Sequence, residues 1–381
     1  MNRRIAIVTR ARAPYHKALQ EAFAEEAGAA GGEVRLLYPR GSASVFSEDT
    51  TVPQGRHLSV SWLDAAEISA EAKGYGTRWK SEASGTQLPS QRLWQELNAF
   101  NPALVWVHEY SPYTLGALLW AKWHGRPVVA SSEVGLANEH FFPLQVRLWH
   151  RLWSHLADGI IACSPAALRP GCGEDRPAVA AFHAADSRKL LPPLRFIEDD
   201  ATIQFVQVGR IIPRKGADLL LAAFAQLNAA GHTHWRLRLL GPDTDGWGQS
   251  QITRLGLESK VEITGHLEGG ALWQAFGQAD VFVLATRQDT YAAVVHEAAC
   301  LGLPLLVSRH AGAAEALVQE GKNGFTFLPE DTAALTAGLR AALNPSTLMT
   351  MSLFARAIAE ATSAHVRARA VWAWMGKNFQ L

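Results

Sequence analysis

Short, unbroken apolar runs alternate with stretches of helical periodicity along most of the chain. IAIVT at 5–9 predicts a buried strand, and a helix follows it near Pro14 in APYHKALQEAFAEEAG, where the fixed φ of proline suits a first helical turn. VRLLY predicts the next strand, and residues 39–90, rich in Ser, Thr and Gly, read as irregular. Order returns with the helix SQRLWQELNAF, the strand ALVWVHEY, the helix TLGALLWAKWHG, the strand PVVASSE, a further helix and the strand GIIACS. Strands without polar alternation are buried on both faces, which predicts a parallel sheet covered by helices. After AFHAADSRKLLPPLRFIEDD the alternation restarts, with strands at IQFVQVGR, WRLRLLG, VEITG, VFVLAT, LPLLVS and GFTF, and with GADLLLAAFAQLNAAG as a helix. Two β/α series separated by a Pro-rich, acidic stretch at about 187–200 predict an α/β protein of two Rossmann-like domains, 1–190 and 191–360. The closing helices begin near Asp331, and residues 361–381 are expected to cross back to the first domain. Between two such domains a cleft is the default place for a ligand.

Composition narrows the class without choosing a function. A chain of 381 residues with a net charge of +1 has no global basic field to draw nucleic acid. Its three cysteines, Cys163, Cys172 and Cys300, show no zinc-type spacing and read as reduced thiols of a cytoplasmic protein. The N-terminal MNRRIAIVTR holds too short an apolar run for a signal peptide, and no stretch approaches the ~18 apolar residues of a membrane span. Thirteen tryptophans are many, and core packing accounts for most of them. A second reading belongs to FFPLQVRLWHRLWSHL at 141–156, whose indoles and arginines suit the interface of a bilayer. A peripheral position on a membrane is therefore part of the expectation.

The chemistry concentrates in DTYAAVVHEAACLGLPLL, residues 289–306. Val294, Ala298 and Leu301 recur at helical spacing, Gly302 stops the helix and Pro304 opens the next strand, so Asp289 is expected as the N-cap. Glu297 then lies about two turns on, roughly 12 Å along the axis at ~1.5 Å per residue. Paired acid/base carboxylates work across ~5–9.5 Å, so these two suit the gripping of hydroxyls at opposite ends of a long ligand. The bland alternative is a cap and a solvated helix residue. VQVGRIIPRKGADLLLAAF places Gly209, Arg210 and Lys215 between a strand and the next helix, where cations at a strand's C-terminal end make an anion site. Together the two stretches predict one pocket for a diphosphate sugar.

With those residues in view, 202–330 resembles the donor-binding domain of retaining glycosyltransferases of the GT-B fold, family 4 type. The resemblance is carried by VGR…RKG with LLAAF, then LLGPD, VEITGHL and ADVFVLATRQDTYAAVVHEAACLGLPLLVSRHAGAAEAL…GKNGFTF. It implies two Rossmann-like domains whose parallel sheets face a central cleft. Arg210 and Lys215 would hold the donor diphosphate, and Glu297 the ribose hydroxyls. Asp289 would stand at the first Glu of the E-x7-E motif, which contacts the transferred sugar. The backbone at Thr290, Tyr291, Ala292 and Ala293 would complete the donor site with Gly209. Two departures bear on the sugar: Asp replaces Glu at 289, and Ala292 replaces a flexible glycine. The resemblance further implies a UDP- or GDP-sugar as donor substrate, no cofactor, no metal, and a glycan or lipid-linked acceptor in the synthesis of bacterial surface polysaccharide, glycolipid or glycoconjugate.

In the family the N-terminal half binds acceptor and supplies a sugar-contacting His. TRARAPYHKAL lacks the usual glycine pair, and Arg10, Arg12 and His16 either face the cleft or make a solvated helix start. For the histidine, His108 at the end of ALVWVHEY is the first candidate and Glu133 at the end of PVVASSE the second. FHAADSRKLLP resembles the family's linker, with Asp186 at its Asp. Asp243 and Asp245 in GPDTDG mimic the metal-binding DxD of the other glycosyltransferase fold, but after a strand of the LLG type they read as a turn. Two other functions compete: a sugar-nucleotide 2-epimerase, and a partner subunit that binds a nucleotide sugar without turnover, to which Asp289 and Ala292 lend weight.

Overall fold

The computed structural model describes residues 2–10, 12–40, 52–64, 67–68, 86–133, 142–164, 176–181, 183–185, 198 and 201–381. Cys172, Asp186 and nearly all of 187–200 lie outside them. Contacts divide the chain into two compact units, Met1–Ala185 with Thr362–Leu381, and Asp186–Ala361.

The first unit is built on a seven-stranded sheet. Its strands are β1 (Arg4–Val8), β2 (Glu33–Pro39), β3 (Leu58–Leu63), β6 (Leu104–His108), β7 (Val128–Ser132), β8 (Gly159–Ala162) and β9 (Ala178–Ala180), in the order β3-β2-β1-β6-β7-β8-β9. The strands β4 (Glu67–Ile68) and β5 (Thr86–Gln87) form a separate antiparallel pair. Every pairing in the seven-stranded sheet is parallel, as the continuous apolar runs demand. Helices α1 (Pro14–Ala29), α2 (Gln91–Phe100), α3 (Pro112–Trp123) and α4 (Leu144–Leu156) connect the strands. β3 falls inside the stretch that read as irregular. It occupies the sheet edge and is only half-buried over most of its length, so LSVSWL carries no unbroken apolar run. The tryptophans sort largely as expected. Trp106, Trp120 and Trp153 are fully buried, and Tyr110 stacks on Trp153.

The second unit repeats the design with six strands: β10 (Ile203–Val208), β11 (Trp235–Leu240), β12 (Val261–Gly265), β13 (Val281–Leu284), β14 (Leu305–Ser308) and β15 (Gly324–Phe327). Their order is β12-β11-β10-β13-β14-β15, and all pairs are parallel. The connecting helices are α5 (Ala217–Ala229), α6 (Trp247–Leu255), α7 (Gly269–Gly277), α8 (Val294–Cys300), α9 (Ala313–Leu317), α10 (Thr332–Ala341) and α11 (Pro345–Ala361). The core joins Phe205, Phe224, Trp235, Leu237, Val283 and Leu306. The last helix, α12 (Ala364–Phe379), belongs to the first unit, where Trp372 meets Phe23 of α1 and Trp374 and Phe379 close over Gly159 of β8. Both sheets are therefore doubly wound and reverse strand order once, between β1 and β6 and between β10 and β13. At such a reversal the loops leaving the two strands diverge, and the crevice they leave is where open α/β sheets bind ligands.

Candidate functional site

At the reversal in the second unit, the loop after β10 meets the loop after β13. The first turns through Gly209 (φ 130) into a 3₁₀ turn at Pro213–Lys215 and ends on Gly216 (φ 71), the N-cap of α5. A Cβ on Gly216 would stand 1.8 Å from the carbonyl oxygen of Ala285, so only glycine lets the two loops approach this closely. Hydrogen bonds then knit them together. Arg214 donates to the carbonyl of Gln288 at 3.0 Å, and Thr286 Oγ1 to the carbonyl of Arg214 at 3.1 Å. Arg287 forks onto both carboxylate oxygens of Asp218 at 2.8 Å, which raises the guanidinium pKa further and fixes its geometry.

This knitting places Lys215 Nζ on Asp289 Oδ2, with both side chains mostly shielded from solvent. Two residues 74 positions apart, each singled out in a different motif, thus share one contact. Arg210 is exposed at the mouth of the same loop. Asp289 does not cap α8, contrary to expectation. Its backbone bridges to Ala311 and its amide donates to the carbonyl of His310 at 3.1 Å. The helix begins only at Val294, with Ala293 as its N-cap and no side-chain cap. The cause is Ala292, whose left-handed backbone (φ 67) breaks the helical path before it can reach Asp289. Consequently Glu297 sits in the first turn of a seven-residue helix, not two turns from a cap. Burial pushes its carboxyl up to about 7, and among the described residues no cation or side-chain donor pairs with it. Tyr291 is buried, Thr290 half-buried, and the amides of Ala292 and Ala293 donate to no carbonyl among the described residues.

At the reversal in the first unit, α1, β6 and β7 bring three predicted residues together. His16 Nε2 lies 3.7 Å from Glu133 Oε1, and the His16 and His108 rings meet edge to face at 4.6 Å. His108 Nδ1 shares a hydrogen bond of 3.1 Å with Ser131 Oγ, which also accepts from Trp106 Nε1. Burial, aided by the neighbouring His16, lowers the His108 pKa to about 3 and keeps its imidazole neutral. Burial alone would push the Glu133 carboxyl up. The charges of His183 and His16 and their hydrogen bonds outweigh that and hold it well below the usual carboxylate range. Arg12 goes elsewhere, over the ring of Trp62 at 5.2 Å, and Arg10 pairs with Glu109 at 3.0 Å.

Two members of this cluster were not predicted. His183 Nε2 lies 3.2 Å from Glu133 Oε1, and Tyr15 packs edge-on against His183. His183 stands in FHAAD, far from residues 16 and 133 in sequence. Only the return of the chain past β9 brings it beside them. Burial and the Glu133 charge push the Cys163 thiol up to about 12, which makes it an inert core thiol. In GPDTDG, Asp243 accepts from the amides of Gly248 and Gln249 at 2.9 Å each, a turn and helix-start role.

Comparison with known proteins agrees with this architecture. Residues 195–357 match the family model of glycosyl transferases group 1. The sulfoquinovosyl transferase SQD2 of Arabidopsis thaliana is 28% identical over 67% of this chain and 52% of its own length. A GDP-mannose-dependent alpha-mannosyltransferase of Mycobacterium tuberculosis is 30% identical over 62% of this chain and 63% of its own. The chain spans about half the length of the curated relatives it matches. Among solved structures, Anabaena Alr3699/HepE in complex with UDP superposes with a TM-score of 0.70 at 19% identity, covering 99% of this chain and 100% of that one.

Proposed function

Starting from a chain that carries a glycosyl transferases group 1 domain on a GT-B fold, we propose that it moves a sugar from a nucleotide diphosphate donor to an acceptor with retention of anomeric configuration. The observation that carries this reading is the contact between Lys215 and Asp289 at the strand reversal of the matched domain. A cation held against a carboxylate is a site for a ligand with phosphate at one end and hydroxyls at the other. On arrival of the donor, Lys215 exchanges a carboxylate for a phosphate oxygen, and Asp289 turns to the sugar hydroxyls. Arg210 joins Lys215 on the diphosphate, and Glu297 accepts hydrogen bonds from the ribose.

In the transfer, the bond from the anomeric carbon to the β-phosphate oxygen breaks as the acceptor oxygen bonds to that carbon. The acceptor's proton passes to the departing β-phosphate oxygen, so no protein base is needed in line. Lys215 and Arg210 stabilise the negative charge that develops on the diphosphate. On the acceptor side, neutral His108 offers a hydrogen bond rather than a proton, with His16 and Glu133 beside it. The exposed stripe Leu144, Leu148 and Leu152 of α4, with Arg151 exposed alongside, supports contact with a membrane interface and hence a lipid-linked acceptor.

Thermal shift with UDP-, GDP- and ADP-sugars tests the donor site. One donor is expected to stabilise the wild type and to lose that effect in Arg210→Ala and Glu297→Ala. A donor that binds both variants as tightly as the wild type sinks the pocket. Product analysis then separates transfer from its rivals, since an epimerised donor, or binding without product, replaces the reading.

A further inference from the structure

The first unit carries a second constellation, which adjoins the acceptor-side His108: His16 and Glu133 stand beside it, and His183 joins them. His16, Glu133 and His183 each offer one ligand-type atom, and these atoms all lie within 4.8 Å of one another. We propose that these three side chains bind one divalent transition-metal ion, zinc by preference, in a site with a fourth position open to solvent.

The donor set and its geometry support this. Two imidazoles and one carboxylate are the ligands of zinc sites that keep an open position. Tetrahedral zinc with bonds of ~2.0–2.1 Å separates neighbouring ligand atoms by about 3.3 Å. The distances from Glu133 Oε1 to His183 Nε2 and His16 Nε2, 3.2 and 3.7 Å, bracket that edge. An ion would draw the two imidazoles out of their stack, because each ring nitrogen binds a metal in the plane of its ring.

The surroundings hold the ligands in place. His16 and His183 are 3% and 1% exposed, and their rings stack at 5.0 Å. Tyr15 packs against both rings and reaches Glu133 Oε1 through its hydroxyl at 3.5 Å. His183 adopts a left-handed backbone (φ 66), and the buried Arg367 of α12 donates to its carbonyl. A left-handed non-glycine residue persists only where its surroundings enforce it. Glu133, by contrast, keeps 28% of its side chain exposed, which provides an entry path and a place for water or a ligand oxygen. The site's three ligands belong to the first unit, whereas Lys215, Asp289 and Glu297 belong to the other.

The test uses the full chain, freed of metal by dialysis against a chelator and titrated with zinc alone in competition with a chromophoric chelator. One equivalent is expected to bind tightly. Glu133→Gln, which preserves side-chain shape, is expected to weaken that equivalent by at least about 100-fold, and His183→Ala likewise. Cobalt(II) gives a second readout: intense visible absorption of a four-coordinate site in the wild type, absent from Glu133→Gln. Far-UV circular dichroism establishes that each variant is folded, and if His183→Ala is not, Glu133→Gln decides alone. Surface pairs such as His266 with Glu268 and His365 with Glu25 contribute only weak binding common to all variants. Zinc held no more tightly by the wild type than by Glu133→Gln, or cobalt left six-coordinate, overturns the site.

Discussion

Ala292 shows how much a single position governs here. Its positive φ costs an alanine about 1–2 kcal/mol that glycine would not incur. Ala292→Gly is expected to raise stability by about 1 kcal/mol, read as a higher midpoint in urea with an unchanged slope. Glu297 makes a pH-dependent prediction. Its folded pKa of about 7 lies above the ordinary 4.5, so folding favours the protonated form. The associated stability is complete below about pH 4.5 and is lost as pH rises through 7. Glu297→Gln is therefore expected to gain on the wild type across that window, by up to about 3 kcal/mol at the alkaline end, and by nothing near pH 4. If the ionised carboxylate grips ribose, donor affinity measured by calorimetry rises with pH toward 7 in the wild type and stays flat in Glu297→Gln. At this scale the sequence offered candidate residues and not what they touch. Asp289 read as a cap because its spacing from Val294 allows one, whereas the backbone at Ala292 and the reach of Lys215 assign its carboxylate to an ion pair.

At the scale of elements, the loops after β10 and β13 depend on Gly216 as their hinge point. Gly216→Ala introduces both a left-handed alanine and a Cβ 1.8 Å from the Ala285 carbonyl oxygen. A loss of more than about 2 kcal/mol is expected, with donor affinity reduced in whatever fraction remains folded. Helix α4 makes a different kind of prediction. It turns Trp153 inward while Leu144, Leu148 and Leu152 stay exposed on one face. Leu148→Asp is expected to weaken binding to anionic vesicles at least about tenfold, since burying one leucine is worth ~1.5–3 kcal/mol; equal binding by the variant would remove the membrane reading. Elements with unbroken apolar runs, such as LVWV in β6 and VFVL in β13, were legible because burial on both faces leaves little room for polar residues. The edge strands β3 and β9 were not, because an edge strand is shielded on fewer sides and its sequence need not be apolar.

For the whole molecule, the division into units makes the proposed donor residues separable. Gly209, Arg210, Lys215, Asp289 and Glu297 all lie within Asp186–Ala361, and α11 packs on α8 inside the same unit. A fragment of residues 195–361 is expected to fold and to bind the donor identified for the full chain with affinity unchanged within about threefold, as calorimetry would measure. A fragment that folds but has lost all affinity would place essential donor contacts outside this unit. By itself the sequence determined two doubly wound parallel sheets and the identity of the diphosphate-binding candidates. Those follow from local patterns: apolar runs, glycines at turns, and cations at strand ends. Tertiary structure alone decided that Lys215 meets Asp289, that Arg12 stays apart, and that His183 joins His16 at Glu133. Such meetings join residues many tens of positions apart, and no local periodicity encodes a distance that only the crossing of strands creates.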